Sequence, residues 1–108
     1  MNWIKIFNNK AQAEAKLGEL NPVQIIYKDV KICLSYFNSN FYATSDTCPH
    51  QSESLSGGTI NGFGEIICPL HNYRYNLKFG VECDHRTADL KTYPIKIDDS
   101  GFYIGLTE

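Results

Sequence analysis

Two short loops constrain this chain more than any run of strand or helix formers. Cys48-Pro49-His50 and Cys68-Pro69-Leu70-His71 are separated by 17 residues, and each carries a cysteine followed directly by a proline, then a histidine. Neither loop can wrap a metal ion alone. Brought face to face, the two supply a pair of thiolates and a pair of imidazoles, a ligand set of mixed softness. A fold that uses them must present two turns, distant in sequence, at one point.

The stretch from Cys48 to Tyr75 resembles the Rieske iron–sulfur proteins, whose motif is C-x-H, a spacer of about fifteen to seventeen residues, then C-x-x-H. The match includes both prolines, the Gly57-Gly58 and Asn61-Gly62 turns, and Tyr75 four places beyond the second histidine. The resemblance implies one 2Fe-2S cluster, with Cys48 and Cys68 on the first iron and His50 and His71 on the second. It spans nearly the whole chain, since small Rieske ferredoxins have about this length. It also implies an all-β fold: a Rieske-type antiparallel β-sandwich or small barrel with an inserted cluster-binding subdomain. That subdomain is expected at about residues 45–76 of a single domain covering 1–108.

The residues read the same way without the resemblance. Trp3 to Phe7 alternates as an opening strand, and Ala11 to Leu17 is rich in helix formers, stopped by Gly18 and Asn21-Pro22. Val23 to Tyr27, Val30 to Phe37 and Phe41 to Thr44 are β-branched and aromatic runs, separated by turns at Lys28-Asp29 and Asn38-Ser39-Asn40. Ser45 to Leu55 is a loop carrying the first finger. Thr59-Ile60 and Glu65 to Ile67 form a hairpin signalled by Asn61-Gly62, which leads into the second finger. Tyr75 to Leu77 is a short strand, Val81 to Lys91 a loop of mixed charge, and Ile95 to Ile97 with Phe102 to Leu106 a final pair. Short strands at close spacing argue a sandwich or small barrel.

Composition excludes several classes. A net charge of −2 gives no basic footprint, so no nucleic-acid partner is expected. The apolar runs are far too short for a membrane span, and the N-terminus lacks the features of a signal peptide, which points to the cytoplasm. Beyond the two ligand candidates only Cys33 and Cys83 remain, too few for a disulfide framework. Cys33 reads as a small core residue, Cys83 as a partly exposed loop residue, and His85 as solvated. Arg74, Lys78 and Glu53 lie close to the fingers in sequence, as part of a docking rim or as ordinary solvated surface.

Replacing two thiolates by neutral imidazoles removes negative charge from the cluster and makes an added electron easier to hold. The prolines fix a backbone angle beyond each thiolate, and the glycines at 57, 58, 62 and 64 permit turns and close backbone approach. Two departures from the high-potential members of the family follow from the resemblance. Their inter-finger disulfide is impossible here, where Glu53 and Leu70 occupy the positions, and their sulfide-bonding serine is Tyr73. Fewer bonds to sulfur predict a potential nearer about −150 mV than about +300 mV. Tyr75 reads either as a core aromatic or as a hydroxyl donor to a cysteine sulfur, and Asn72 stands where glycine is common.

The reading is a soluble one-electron carrier, not itself an enzyme. By resemblance it takes electrons from an NAD(P)H-dependent flavoprotein reductase and passes them to a terminal oxygenase or another reductase. The 37 residues after His71 hold only His85 as a further histidine, too few donors for the mononuclear iron site of an oxygenase. Two alternatives stand beside it. One is a small Rieske subunit of a larger reductase, as in nitrite reductase. The other is a structural zinc module, against which the alternation of Cys and His and the ample β-domain both argue.

Overall fold

The computed structural model describes residues 2–18, 21–49 and 53–106. Among these residues the fold is all-β apart from one short helix, and every strand pairing is antiparallel. β1 (Asn2–Phe7) leads to α1 (Lys10–Lys16), then β2 (Val23–Tyr27), β3 (Val30–Phe37) and β4 (Asn40–Ser45) form a meander. β5 (Thr59–Ile60), β6 (Glu65–Ile67) and β7 (Arg74–Asn76) form a separate small sheet. β8 (Thr92–Tyr93) returns to pair with β4, and β9 (Ile95–Asp98) and β10 (Gly101–Leu106) close the chain against β1.

The strands and the helix expected from the sequence are present within a residue or two. α1 forms despite its length because Asn9 caps it: the Asn9 Oδ1 accepts from the Gln12 N–H at 2.8 Å, and Gln12 Oε1 accepts from the Asn8 N–H at 2.7 Å. The first bond satisfies a donor that a helix start leaves orphaned, and the second ties down the residue before the cap. Ala13 buries its inner face, and Leu17, the residue that ends it, is buried in the same core. β8 was not anticipated; at two residues it is too short for any side-chain alternation to register.

β3 holds the molecule together because it is buried on both faces. Its side chains from Ile32 to Ser35 are all buried, and alternate residues point to opposite sides. Ile32 and Leu34 join Ala43, Phe102, Ile104 and Leu106 in one core, where Phe102 meets Phe7 and Phe41 edge-on. Cys33 points the other way, into a second core with Leu55, Ile60, Ile66, Tyr75 and Leu77. The small sheet is thereby packed onto the back of the larger one, and its loops inherit the rigidity of that core.

The β5–β6 hairpin differs in detail from the tight Asn-Gly turn expected. Asn61 still pairs across the hairpin, its N–H donating to Glu65 O at 3.0 Å, so Gly62, Phe63 and Gly64 form the loop. The residue requiring a left-handed backbone is Gly64, at φ +76°, whereas a side chain at Gly62 would meet open space. Asn61 shapes the turn through its amide, with Oδ1 accepting from the Phe63 and Glu65 N–H groups.

Candidate metal centre

The two fingers are built alike. In the first, the Cys48 N–H donates to Glu53 O at 2.8 Å; in the second, the Cys68 N–H donates to Tyr73 O at 2.8 Å. Each loop is thus closed by a bond from the cysteine's own backbone, which fixes the direction of its side chain.

The first finger is anchored from below by Asp46, which is buried. One carboxylate accepts from Gln24 Nε2 at 2.7 Å, Ser54 Oγ at 2.5 Å, the Ser56 N–H at 2.7 Å and Ser56 Oγ at 3.0 Å. The Asp46 main chain adds a bond to Lys31 O, and its own carbonyl accepts from the Leu55 N–H. A buried carboxylate is tolerated only when so fully bonded. It ties both ends of the finger to β2 and β3.

The second finger turns through two successive left-handed residues, His71 at φ 68° and Asn72 at φ 58°. Asparagine adopts that region more readily than most side chains, so Asn72 accommodates the bend where glycine was expected. The glycine at 58 answers a different demand. A Cβ there would lie 1.9 Å from Ile67 O, so only glycine lets the end of the first finger pass beside the strand leading to the second.

These anchors bring Cys48 and Cys68 together at the top of the second core, both buried and both free thiols. Burial pushes the Cys68 thiol up to about 11, the bond to the neighbouring Cys48 adds to the shift, and the Leu70 backbone N–H opposes it. A metal that binds here must displace that proton. His71 lies on the exposed side of its loop, and His50 falls outside the described residues. Two adjacent buried thiols, with an exposed histidine on the second loop, suit a mixed thiolate–imidazole donor set.

Tyr75, wholly buried on β7, directs its hydroxyl to within 3.3 Å of Cys48 Sγ. Tyr75 is thus a core aromatic, and its hydroxyl also lies within hydrogen-bond reach of the sulfur. Tyr73 takes a different part from a sulfide-bonding serine, with the Arg86 guanidinium stacked over its ring at 3.7 Å.

The segment 81–91, read from sequence as a loop without pattern, has no regular element of its own but braces the site. Glu82, with no exposed surface, accepts from the Arg86 N–H at 2.6 Å, Arg86 Nη2 at 2.7 Å and Nε at 3.1 Å, and from the Asp84 N–H at 3.2 Å. Arg86 holds the Glu82 carboxyl well below the usual carboxylate range. The Cys83 N–H and Asn76 N–H bond across to Arg74 O and Val81 O, fastening the segment to β7. Its only sequence signal was the acid–arginine pair four residues apart, ordinarily a surface feature. Cys33 is a buried core thiol, Cys83 is half-exposed and His85 is exposed, as anticipated. Lys78 does not border the fingers: β7 carries the chain away from them, and Lys78 lies in the turn beyond, beside Phe79.

Two paired-loop thiols on a small antiparallel scaffold define a class of protein, and the comparisons place the chain within it. Residues 2–94 match the family model of the Rieske [2Fe-2S] domain, and the chain belongs to that family. Its cofactor is one Rieske-type 2Fe-2S cluster. The chain is 36% identical over 99 residues to the ferredoxin component of the 2,4-dinitrotoluene dioxygenase system of Burkholderia sp. (strain RASC), covering 91% of this chain and 89% of that protein. The ferredoxin of carbazole 1,9a-dioxygenase from Nocardioides aromaticivorans shares the fold at a TM-score of 0.83 and 17% identity, over 99% of this chain and 100% of that one. A chain from the complex of reduced oxygenase and oxidized ferredoxin in carbazole 1,9a-dioxygenase aligns at a TM-score of 0.76 and 25% identity, over 94% of this chain and 100% of that one. Among the described residues, no helix is long and apolar enough to cross a membrane.

Proposed function

We propose that the chain is a one-electron carrier working in the cytoplasm between an NAD(P)H-dependent flavoprotein reductase and a terminal oxygenase. Cys48 and Cys68 would hold one iron of the cluster, and His50 and His71 the other. The bound cluster supplies reversible one-electron chemistry at a potential above that of all-cysteine clusters. The observation that carries this reading is the pairing of two buried thiols, one from each finger, with an exposed histidine on the second finger. The oxygenase partner is supported by relatives named as ferredoxin components of dioxygenase systems and by a solved oxygenase–ferredoxin complex.

In this reading the chain's own residues do three things. The closed fingers fix the donor atoms before the cluster is bound, so little rearrangement accompanies a change of charge. The second core, with Ile66, Leu55 and Leu77, keeps water away from the sulfur side. The exposed second finger offers the shorter path to a partner. The whole chain, 1–108, acts as a single domain, with residues 45–76 as the cluster-binding part. No substrate is transformed on it, so the chain has no enzymatic activity of its own.

The test is stopped-flow mixing of the oxidised protein with a reduced flavoprotein reductase of a dioxygenase system, followed by mixing of the reduced protein with its oxygenase. Bleaching in the first step and recovery in the second, both lost in Cys68→Ser, is the expected result. A protein that accepts electrons from no such reductase contradicts the proposal.

A further inference from the structure

The hydroxyl of Tyr75 has two neighbours, Cys48 Sγ at 3.3 Å and Thr87 Oγ1 at 3.2 Å. A phenol carries one proton, so it can donate to one of them and must accept from, or ignore, the other. Thr87 faces the same choice: its hydroxyl reaches both the Tyr75 oxygen and Ala88 O, the latter at 2.9 Å. Besides a third arrangement, in which Thr87 bonds only Ala88 O and Tyr75 donates to the sulfur unaided, two arrangements use the Thr87–Tyr75 contact. In one, Thr87 donates to Tyr75 and Tyr75 donates to the sulfur. In the other, Thr87 donates to Ala88 O and draws the tyrosine proton to itself, leaving the sulfur without a donor.

We propose that Thr87 is a positioning residue for electron transfer: it donates into the Tyr75 oxygen, aims the tyrosine proton at Cys48 Sγ, and so favours the reduced cluster. This rests on the assignment of Cys48 as a cluster ligand. An anionic sulfur is a stronger acceptor than a neutral hydroxyl, which selects the first arrangement over the second. A hydroxyl that accepts one bond also becomes a better donor in the next, so Thr87 strengthens the bond it does not itself make.

The position of Thr87 is built for this. It follows directly on Arg86, whose backbone N–H and guanidinium are both held by the buried Glu82 carboxylate and whose guanidinium rests on the Tyr73 ring. Further along, the Leu90 N–H donates to Gly80 O at 2.8 Å and Leu90 is buried in the second core. The threonine is therefore set between two fixed points of an otherwise irregular segment. That explains why a side chain twelve residues from Tyr75 meets it in register.

The experiment is a redox titration of the cluster-loaded protein and its variants Thr87→Val, Thr87→Ser and Tyr75→Phe, together with the double variant. Thr87→Val, which keeps the shape and removes the hydroxyl, should shift the reduction equilibrium about two- to threefold toward the oxidised state, ~20–30 mV lower at 59 mV per tenfold for one electron. Thr87→Ser should retain the parental potential. With Phe at position 75, Thr87→Val should change nothing further, which a general loosening of the loop would not reproduce. A potential unchanged or raised in Thr87→Val, or lowered equally in both backgrounds, overturns the inference while leaving the electron carrier intact. Should Thr87→Val not fold, Thr87→Ala serves the same comparison. A purified protein that holds no cluster overturns this inference and the proposed function together.

Discussion

Tyr75 on β7 and Cys48 in the first finger are 27 residues apart in the chain, yet the tyrosine hydroxyl lies 3.3 Å from the cysteine sulfur. The contact exists because β7, which leaves the second finger, pairs with β6 so that Tyr75 stands opposite Ile66 and points into the core beneath the first finger. A residue on the strand that leaves the second finger thereby lies beside the sulfur of the first. Tyr75→Phe should lower the cluster's midpoint potential by an amount comparable to one hydrogen bond, about 1 kcal/mol, or ~40 mV for one electron. Potentiometric titration of the two proteins in the same buffer reads this directly.

Asp46 gives the first finger its base, and its loss should be felt in both fold and cluster. Asp46→Ala strands the Ser54 and Ser56 hydroxyls and the Ser56 N–H, a cost of about 2–4 kcal/mol. Denaturant titration measures that loss. Iron release to a chelator should also quicken roughly tenfold, since the groups behind a ligand loop hold the ligand in place. Unaltered iron retention in the variant would mean that the finger is held by other contacts.

The Glu82 clamp predicts a pH dependence with a definite sign. Arg86 lowers the folded-state Glu82 carboxyl from its ordinary value of 4.5, so its contribution is present above that pH. It is lost as pH falls below 4.5 toward the depressed folded value. Glu82→Gln should therefore lower the thermal midpoint by about 5 °C at pH 7. The gap between the two proteins should shrink as both are taken below pH 4.5. A gap independent of pH would show that the glutamate acts through shape rather than charge.

Gly58 should tolerate no side chain. A Cβ placed there meets a main-chain oxygen of β6, Ile67 O, which cannot step aside without breaking the small sheet. Gly58→Ala should destabilise by about 3 kcal/mol or more, whereas Gly62→Ala, facing open space, should be close to neutral. Paired unfolding curves distinguish the two glycines, which look alike in the sequence.

The strands and the paired fingers were legible because their signals are local: alternation, turn residues, and two Cys/His loops at a telling distance. What the sequence hid is what depends on contacts across the fold. Asp46 falls in a stretch that reads only as the loop carrying the first finger, yet it is buried and bonded to Gln24 on β2 and to two serines. Glu82 and Arg86 fall in a stretch that reads only as a loop of mixed charge, yet the glutamate is wholly enclosed and the arginine lies on Tyr73. Thr87 carries no pattern at all, because its role arises only where the 81–91 segment crosses β7. Lys78 was misplaced for a related reason: nearness in sequence to a finger is undone by a strand that runs away from it.

The measurement that bears most directly on the central claim is the visible spectrum of anaerobically purified protein, with iron, acid-labile sulfide and zinc assayed on the same sample. A red-brown protein with about two irons and two sulfides per chain, bleached by dithionite, is the predicted result. Colourless protein holding one zinc and no sulfide would contradict it, and would leave the paired fingers as a structural site.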